Sequence, residues 1–141
     1  MQRIFVASPG DVSAERRAAE RVIAEFKVRA TANAYVWEAV EQGMNSNEYI
    51  QQQLARPSDP AEHFSTVVAI LGERLGKPLR PGFPIPNRMR EFVLTHNRRY
   101  PGQRIRLPDD PVGGVPVTGT LFEILDTLSS EPDGGGPELF L

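Results

Sequence analysis

Residues 3–16, RIFVASPGDVSAER, read as a buried strand, a tight polar turn and the start of a long helix. Arg3-Ile4-Phe5-Val6-Ala7 is a short apolar run rich in β-branched and aromatic side chains, as a strand covered on both faces requires. Ser8-Pro9-Gly10-Asp11 breaks that run with turn chemistry. Two caps fit the helix that follows. Asp11 is placed as N-cap with Glu15 in the first turn, where the helix dipole favours negative charge. Alternatively Ser8 is the cap, with Pro9 at the first helical position and Asp11 at the third. In either case the carboxyl end of the strand delivers a polar loop and backbone N–H groups to one spot. Ligands of open parallel α/β sheets bind at such ends. An ordinary capped turn has the same spacing, so the stretch defines the fold without by itself defining a site.

Composition sets the surroundings. A chain of 141 residues with 40% hydrophobic and 24% charged residues is expected to form one domain with a substantial core. The net charge of −2 supplies no overall basic field, so nucleic acid is not the expected partner. The absence of cysteine excludes a disulfide scaffold and a thiolate metal site, and fits a reducing compartment. His63 and His96 have no metal-ligand spacing, so no metal is expected. No apolar stretch approaches a membrane span, and the chain starts on a strand without a signal-peptide core. A cytoplasmic protein without a membrane partner is the expectation.

Outward from the first stretch, Val12, Ala19, Val22, Ile23, Phe26 and Ala30 form one stripe and predict a helix from Val12 to Ala30, closed by Asn33. Ala34 to Glu38 reads as a second strand, with Trp37 packing against the sheet and Glu38 at its carboxyl end. After the loop Gly43–Ser46, a short helix is expected from Asn47 to Leu54, then a turn from Pro57 to Pro60. Phe64 to Leu71 is the most hydrophobic stretch and predicts a central parallel strand. It ends in Gly72-Glu73-Arg74-Leu75-Gly76, which takes Glu73 and Arg74 to the same edge as Ser8 and Asp11.

Between Lys77 and Val117 periodicity gives way to dense proline and glycine. This part reads as a long, locally stiff insertion in which Arg88 to Leu94 is a short helix or strand. Its arginines (80, 88, 90, 98, 99, 104 and 106) make it the most basic part of the chain. A phosphate-binding or partner-docking flap and a solvated insertion are both consistent with them. Thr118-Gly119-Thr120 opens a further helix, Leu121 to Leu128, and Thr120 with Glu123 has capping-box spacing. Pro137 to Leu141 has the look of another buried strand, in which the chain stops, so a fragment truncated at its C-terminus is expected. The order β-α-β-α-β-(insertion)-α-β predicts a three-layer α/β sandwich with a central parallel sheet and right-handed crossovers. No dinucleotide fingerprint, phosphate-binding loop or nucleophile-elbow motif is present.

Four stretches occur in a telling order: IFVASPGDVSAER at Ile4–Arg16, VVAILGERLGKPL at Val67–Leu79, TGTLFEI at Thr118–Ile124 and PELFL at Pro137–Leu141. Together they resemble the TIR-like domain of unknown function at the N-terminus of many bacterial STAND-type (NACHT or related) NTPases. Ser8, Asp11, Glu15 and Arg16 match its first motif. Trp37-Glu38 resembles the end of its second strand, Leu71–Gly76 its Arg-x-Gly motif, and Thr118-Gly119-Thr120 its S-G-T motif. The resemblance covers most of the chain outside Lys77–Val117. It implies a TIR/flavodoxin-like fold, shared with nucleoside deoxyribosyltransferases, and a signalling or effector module of a larger STAND-type polypeptide. Such a module acts by self-association or partner docking and needs no cofactor. Ser8, Asp11, Arg16, Arg74 and Glu123 then hold the loops together.

The fold relatives cleave N-glycosidic bonds with a helix-borne glutamate, which implies a second function, an NAD(P) or nucleoside N-glycosidase. Ser8, Pro9, Gly10 and Asp11 then line the nucleotide pocket and Arg74 faces a phosphate. Glu123 acts at the ribose, where a carboxylate stabilises or traps the oxocarbenium-like centre. The family often has an acidic residue directly after S-G-T, a position that is Leu121 here.

Overall fold

Successive side chains of a strand point to opposite faces, so Ile4-Phe5-Val6-Ala7 must be covered on both sides. The computed structural model, which describes residues 2–27, 32–35, 56–59, 61, 64–130 and 136–141, shows how. Its elements are β1 (Gln2–Ala7), α1 (Ser13–Lys27), β2 (Ala32–Tyr35), β3 (Phe64–Ala69), α2 (Asn87–Arg99), β4 (Ile105–Arg106), β5 (Val115–Pro116), α3 (Gly119–Ser130) and β6 (Glu138–Phe140). Four strands form one sheet in the order β2-β1-β3-β6, and every pairing in it is parallel. In register, Phe5 lies between Tyr35 and Val67. The protein is thus an α/β fold on a parallel sheet. The chain leaves β1 towards β2 on one side and returns to β3 on the other, so the topological switch point falls between β1 and β3.

The two faces of β1 meet different helices. Val6 packs with Ile23 of α1, and Ile4 and Ile70 join them. Phe5 and Ala7 pack with Phe64, Val67, Ala69 and Ile124 of α3. The rings of Phe5 and Phe64 meet edge-on with centroids 5.2 Å apart. Full burial of side chains such as Phe5 and Val67 contributes about 1.5–3 kcal/mol each.

The segment 77–117 departs from the expected insertion. Residues 87–99 form a 13-residue helix, longer than the short element expected at Arg88–Leu94. The prolines that hid it precede it, ending at its cap, Pro86, and follow it at Pro101. Met89, Val93 and Asn97 recur at four-residue spacing on its buried face. Met89 and Val93 meet Leu79, Ile85, Leu107 and Val117, and with Phe122 and Leu125 of α3 they complete a second core. The pair β4–β5 sits beside it, joined by hydrogen bonds from Val115 N to Arg104 O (2.9 Å) and Val117 N to Arg106 O (3.0 Å). α3 therefore has the sheet on one side and α2 on the other, and nine of its twelve residues are buried.

Other boundaries shift. A 3₁₀ turn at Gly10–Val12 precedes α1, which is described as far as Lys27. The second strand, described as Ala32–Tyr35, already includes residues before the expected start at Ala34, and Asn33, expected to close the helix, pairs with Arg3 of β1. Strand pairing outweighs a local stop signal there. The third strand ends at Ala69, two residues early. The last strand was expected to be buried, but β6 lies at the edge of the sheet among the described residues, with Phe140 54% exposed. Trp37, Glu38 and the helix expected at Asn47–Leu54 lie outside the described residues.

Candidate functional site at the carboxyl edge of the sheet

Three loops converge at the switch point. The first follows β1. Pro9 is buried, Ser8 is half-buried, and Gly10 and Asp11 are exposed. Arg16, a half-buried residue of α1, donates from Nη1 to Ser8 Oγ at 3.4 Å, a long and therefore weak bond. Neither expected cap forms. Pro9 occupies the cap of the 3₁₀ turn without a side-chain hydrogen bond, and Asp11 lies inside that turn because the chain becomes helical at Gly10.

The second loop follows β3, whose pairing with β1 continues one step further through Ile70 N to Ala7 O, 2.9 Å. A Cβ on Gly72 would lie 2.6 Å from Val12 Cγ1 and 3.0 Å from Asp11 Oδ2, so the first two loops touch there. Gly76 has φ +91°, and a Cβ on it would contact both Pro9 and Thr118 at 3.9 Å. Between these two glycines, Glu73 and Arg74 are exposed.

The third loop opens α3. The Thr118 hydroxyl donates to the Leu75 carbonyl and accepts from Leu121 N at 3.2 Å. Leu79 N donates to Val117 O at 2.9 Å, next to a bridge between Pro78 and Thr118. One side chain thus caps α3 and pins the second loop.

Thr118, not Thr120, is the cap, which changes the meaning of Glu123. With Thr118 at N-cap, Leu121 takes the third helical position and Glu123 stands two residues beyond any capping-box role. Glu123 is only 5% exposed. It shares a buried polar face of α3 with Asp126, Thr127 and Ser130. The structure thus brings Ser8, Pro9, Gly10 and Asp11 to the loop carrying Arg74. Glu123 stands more than a turn inside the helix, about 7.5 Å along its axis from the cap.

Asp126 is a functional candidate that sequence reasoning missed. It is 1% exposed on its side chain, accepts from Arg56 Nε at 3.2 Å and from Ser58 N at 2.9 Å, and so fastens the turn at 56–59 to α3. Arg88 Nη2 of α2 donates to Ser58 Oγ of the same turn at 3.0 Å. The available signal was its spacing: an acid three residues after Glu123 in a helix whose other positions are apolar or hydroxylic.

No protein-family model matches the chain, and no curated protein or solved structure is significantly similar to it. Among the described residues, no helix is long and apolar enough to cross a membrane.

Proposed function

We propose that this chain is a TIR-like signalling or effector module of a larger, STAND-type cytoplasmic polypeptide, acting by self-association or partner docking through the carboxyl edge of its sheet. The observation that carries this reading is the 72–76 loop, packed closely at Gly72 against Val12 and Asp11 and bound at the Leu75 carbonyl by Thr118, with Glu73 and Arg74 exposed between. A loop fixed at both ends presents its charges with little ordering cost on association. The module needs no cofactor. Sedimentation velocity over a wide concentration range tests the reading. The wild type is expected to self-associate, Arg74→Glu to weaken it, and the double exchange Glu73→Arg/Arg74→Glu to restore part of it. A wild type that stays monomeric at every concentration removes self-association, and an Arg74→Glu variant that associates as the wild type does removes this loop.

The position of Glu123 supports a second reading, an NAD(P) or nucleoside N-glycosidase. Its carboxylate is buried, and the cap at Thr118 leaves it without a helix-capping role. Arg74 and the Ser8–Asp11 loop would then bind the nucleotide. Incubation with NAD at high protein concentration, against Glu123→Gln, decides it. Turnover lost in the variant supports catalysis by Glu123, and no turnover by a folded wild type ends the reading.

A further inference from the structure

The arginines of α2 and of the loop that follows it divide into two groups. Where the fold neutralises an arginine of this region, it supplies an aspartate: Arg90 pairs with Asp109 at 3.3 Å, and Arg104 pairs with Asp110. Among the described residues, Arg88, Arg98 and Arg99 form no ion pair with a carboxylate. Arg88 binds the Ser58 hydroxyl, Arg98 binds Thr95 Oγ1 at 3.2 Å, and Arg99 lies over the Tyr100 ring at 5.5 Å. All three are on the solvent side of the helix. Arg88, Phe92, Thr95 and Arg99 follow one another at helical spacing, and Leu94 and Arg98 form the adjoining row. Phe92 is 36% exposed and Leu94 43%.

The helix dipole explains cations in the last turn. It explains neither Arg88 at the first turn nor two large apolar side chains standing between the arginines. Arginine around exposed apolar and aromatic residues is the composition of a protein-binding surface, whereas a surface for the phosphate backbone of nucleic acid has no use for Leu94. The charge balance sets the sign of the partner. Among the exposed residues of α2, Arg88, Arg98 and Arg99 stand against one acid, Glu91, in a chain of net charge −2.

We propose that the outer face of α2 docks an acidic, leucine- or phenylalanine-bearing segment of a partner protein. Its apolar side chains cover Phe92 and Leu94 while its carboxylates pair with Arg88, Arg98 and Arg99. This surface is separate from the 72–76 loop, so the proposal stands whichever function that loop serves.

Fluorescence anisotropy tests it with three labelled probes of similar length: an amphipathic helical peptide of glutamate and leucine, polyglutamate, and oligothymidine. The amphipathic peptide is expected to bind, with affinity falling as salt rises. Arg98→Glu/Arg99→Glu is expected to weaken it more than ~tenfold by setting like charges against each other. Phe92→Ser/Leu94→Ser is expected to reduce it to the level of polyglutamate. These side chains are exposed, and circular dichroism and thermal unfolding verify that each variant folds. No binding of the amphipathic peptide, or equal binding of polyglutamate, overturns the proposal. Tighter binding of oligothymidine assigns the face to nucleic acid instead. Self-association lost in Arg98→Glu/Arg99→Glu, without peptide binding, assigns it to a second copy of the chain.

Discussion

Asn97 is a buried polar residue whose place in a hydrophobic face is explained by what it holds. It is 7% exposed; its Nδ2 donates to Ile105 O and its Oδ1 accepts from Ile105 N, both at 2.8 Å. The side-chain amide thereby pairs with β4 as another strand would. Asn97→Ala leaves both Ile105 groups without partners and is expected to cost about 1–3 kcal/mol in urea denaturation, where less than about 0.5 kcal/mol would show that water replaces the amide. Asp110 gives the same region a pH dependence. The Val112 N–H bound to its Oδ1 at 2.9 Å holds its carboxyl below the ordinary range. The Arg104 guanidinium and the charge of Arg106 act in the same direction, against the opposing effect of partial burial. A lowered folded-state pKa stabilises the fold above the unfolded value near pH 4, and that contribution is lost as pH falls through the folded value. Thermal unfolding from pH 5 down to pH 2 should therefore show a steeper acid loss in the wild type than in Asp110→Asn, and parallel curves would refute the linkage.

Among the elements, the start of α3 is where one side chain serves two structures. Thr118→Val keeps the shape of the residue but removes both the cap on Leu121 N and the bond to Leu75 O. The cap alone is worth about 0.5–2 kcal/mol. The larger expected consequence is faster amide exchange through 72–76, while β1 and β3 remain protected; an unchanged loop would mean that Gly72 and Gly76 fix it unaided. The elements also differ in how far the sequence disclosed them. β1 and β3 were legible because a strand buried on both faces leaves a continuous apolar run, and their loops met where parallel strands must end. α2 was not, because the exposed apolar Phe92 and Leu94 obscure the four-residue spacing of its buried Met89, Val93 and Asn97, and the third of these is polar. Prolines on both sides of it then gave the whole segment the composition of a loop. The edge loops of the candidate site followed from strand direction alone, whereas the cap at Thr118 depended on where α3 begins, which Thr120 with Glu123 misreported. Asp126 stayed hidden because its partners, Arg56 and Ser58, are some seventy positions away in sequence.

For the whole molecule, the decisive fact is that α3 belongs to both cores. Ile124 packs with Phe5 and Val67 against the sheet, while Phe122 and Leu125 pack with Met89 and Val93 of α2. A helix whose sequence carries Glu123, Asp126 and several hydroxyls is stable in a buried site only while both coverings are in place. Thr127 Oγ1 donates to Glu123 O at 3.0 Å, and Ser129 and Ser130 donate to the carbonyls of Asp126 and Thr127, so these hydroxyls are satisfied inside the helix. The outer layer of 77–117 should then be part of the folding unit and not an appendage to it. Met89 is fully buried, and Met89→Ala removes contacts only in the outer core, at an expected cost of about 2–5 kcal/mol. If α3 couples the layers, that loss appears in full at β1 as well as at α2 when native-state hydrogen exchange is followed residue by residue. If the outer layer opens by itself, protection falls in α2 and β4 while β1 and β3 keep their wild-type values, and the two cores are independent. The first outcome is expected, because removal of α2 would expose Phe122 and Leu125 on a helix that the sheet cannot cover alone.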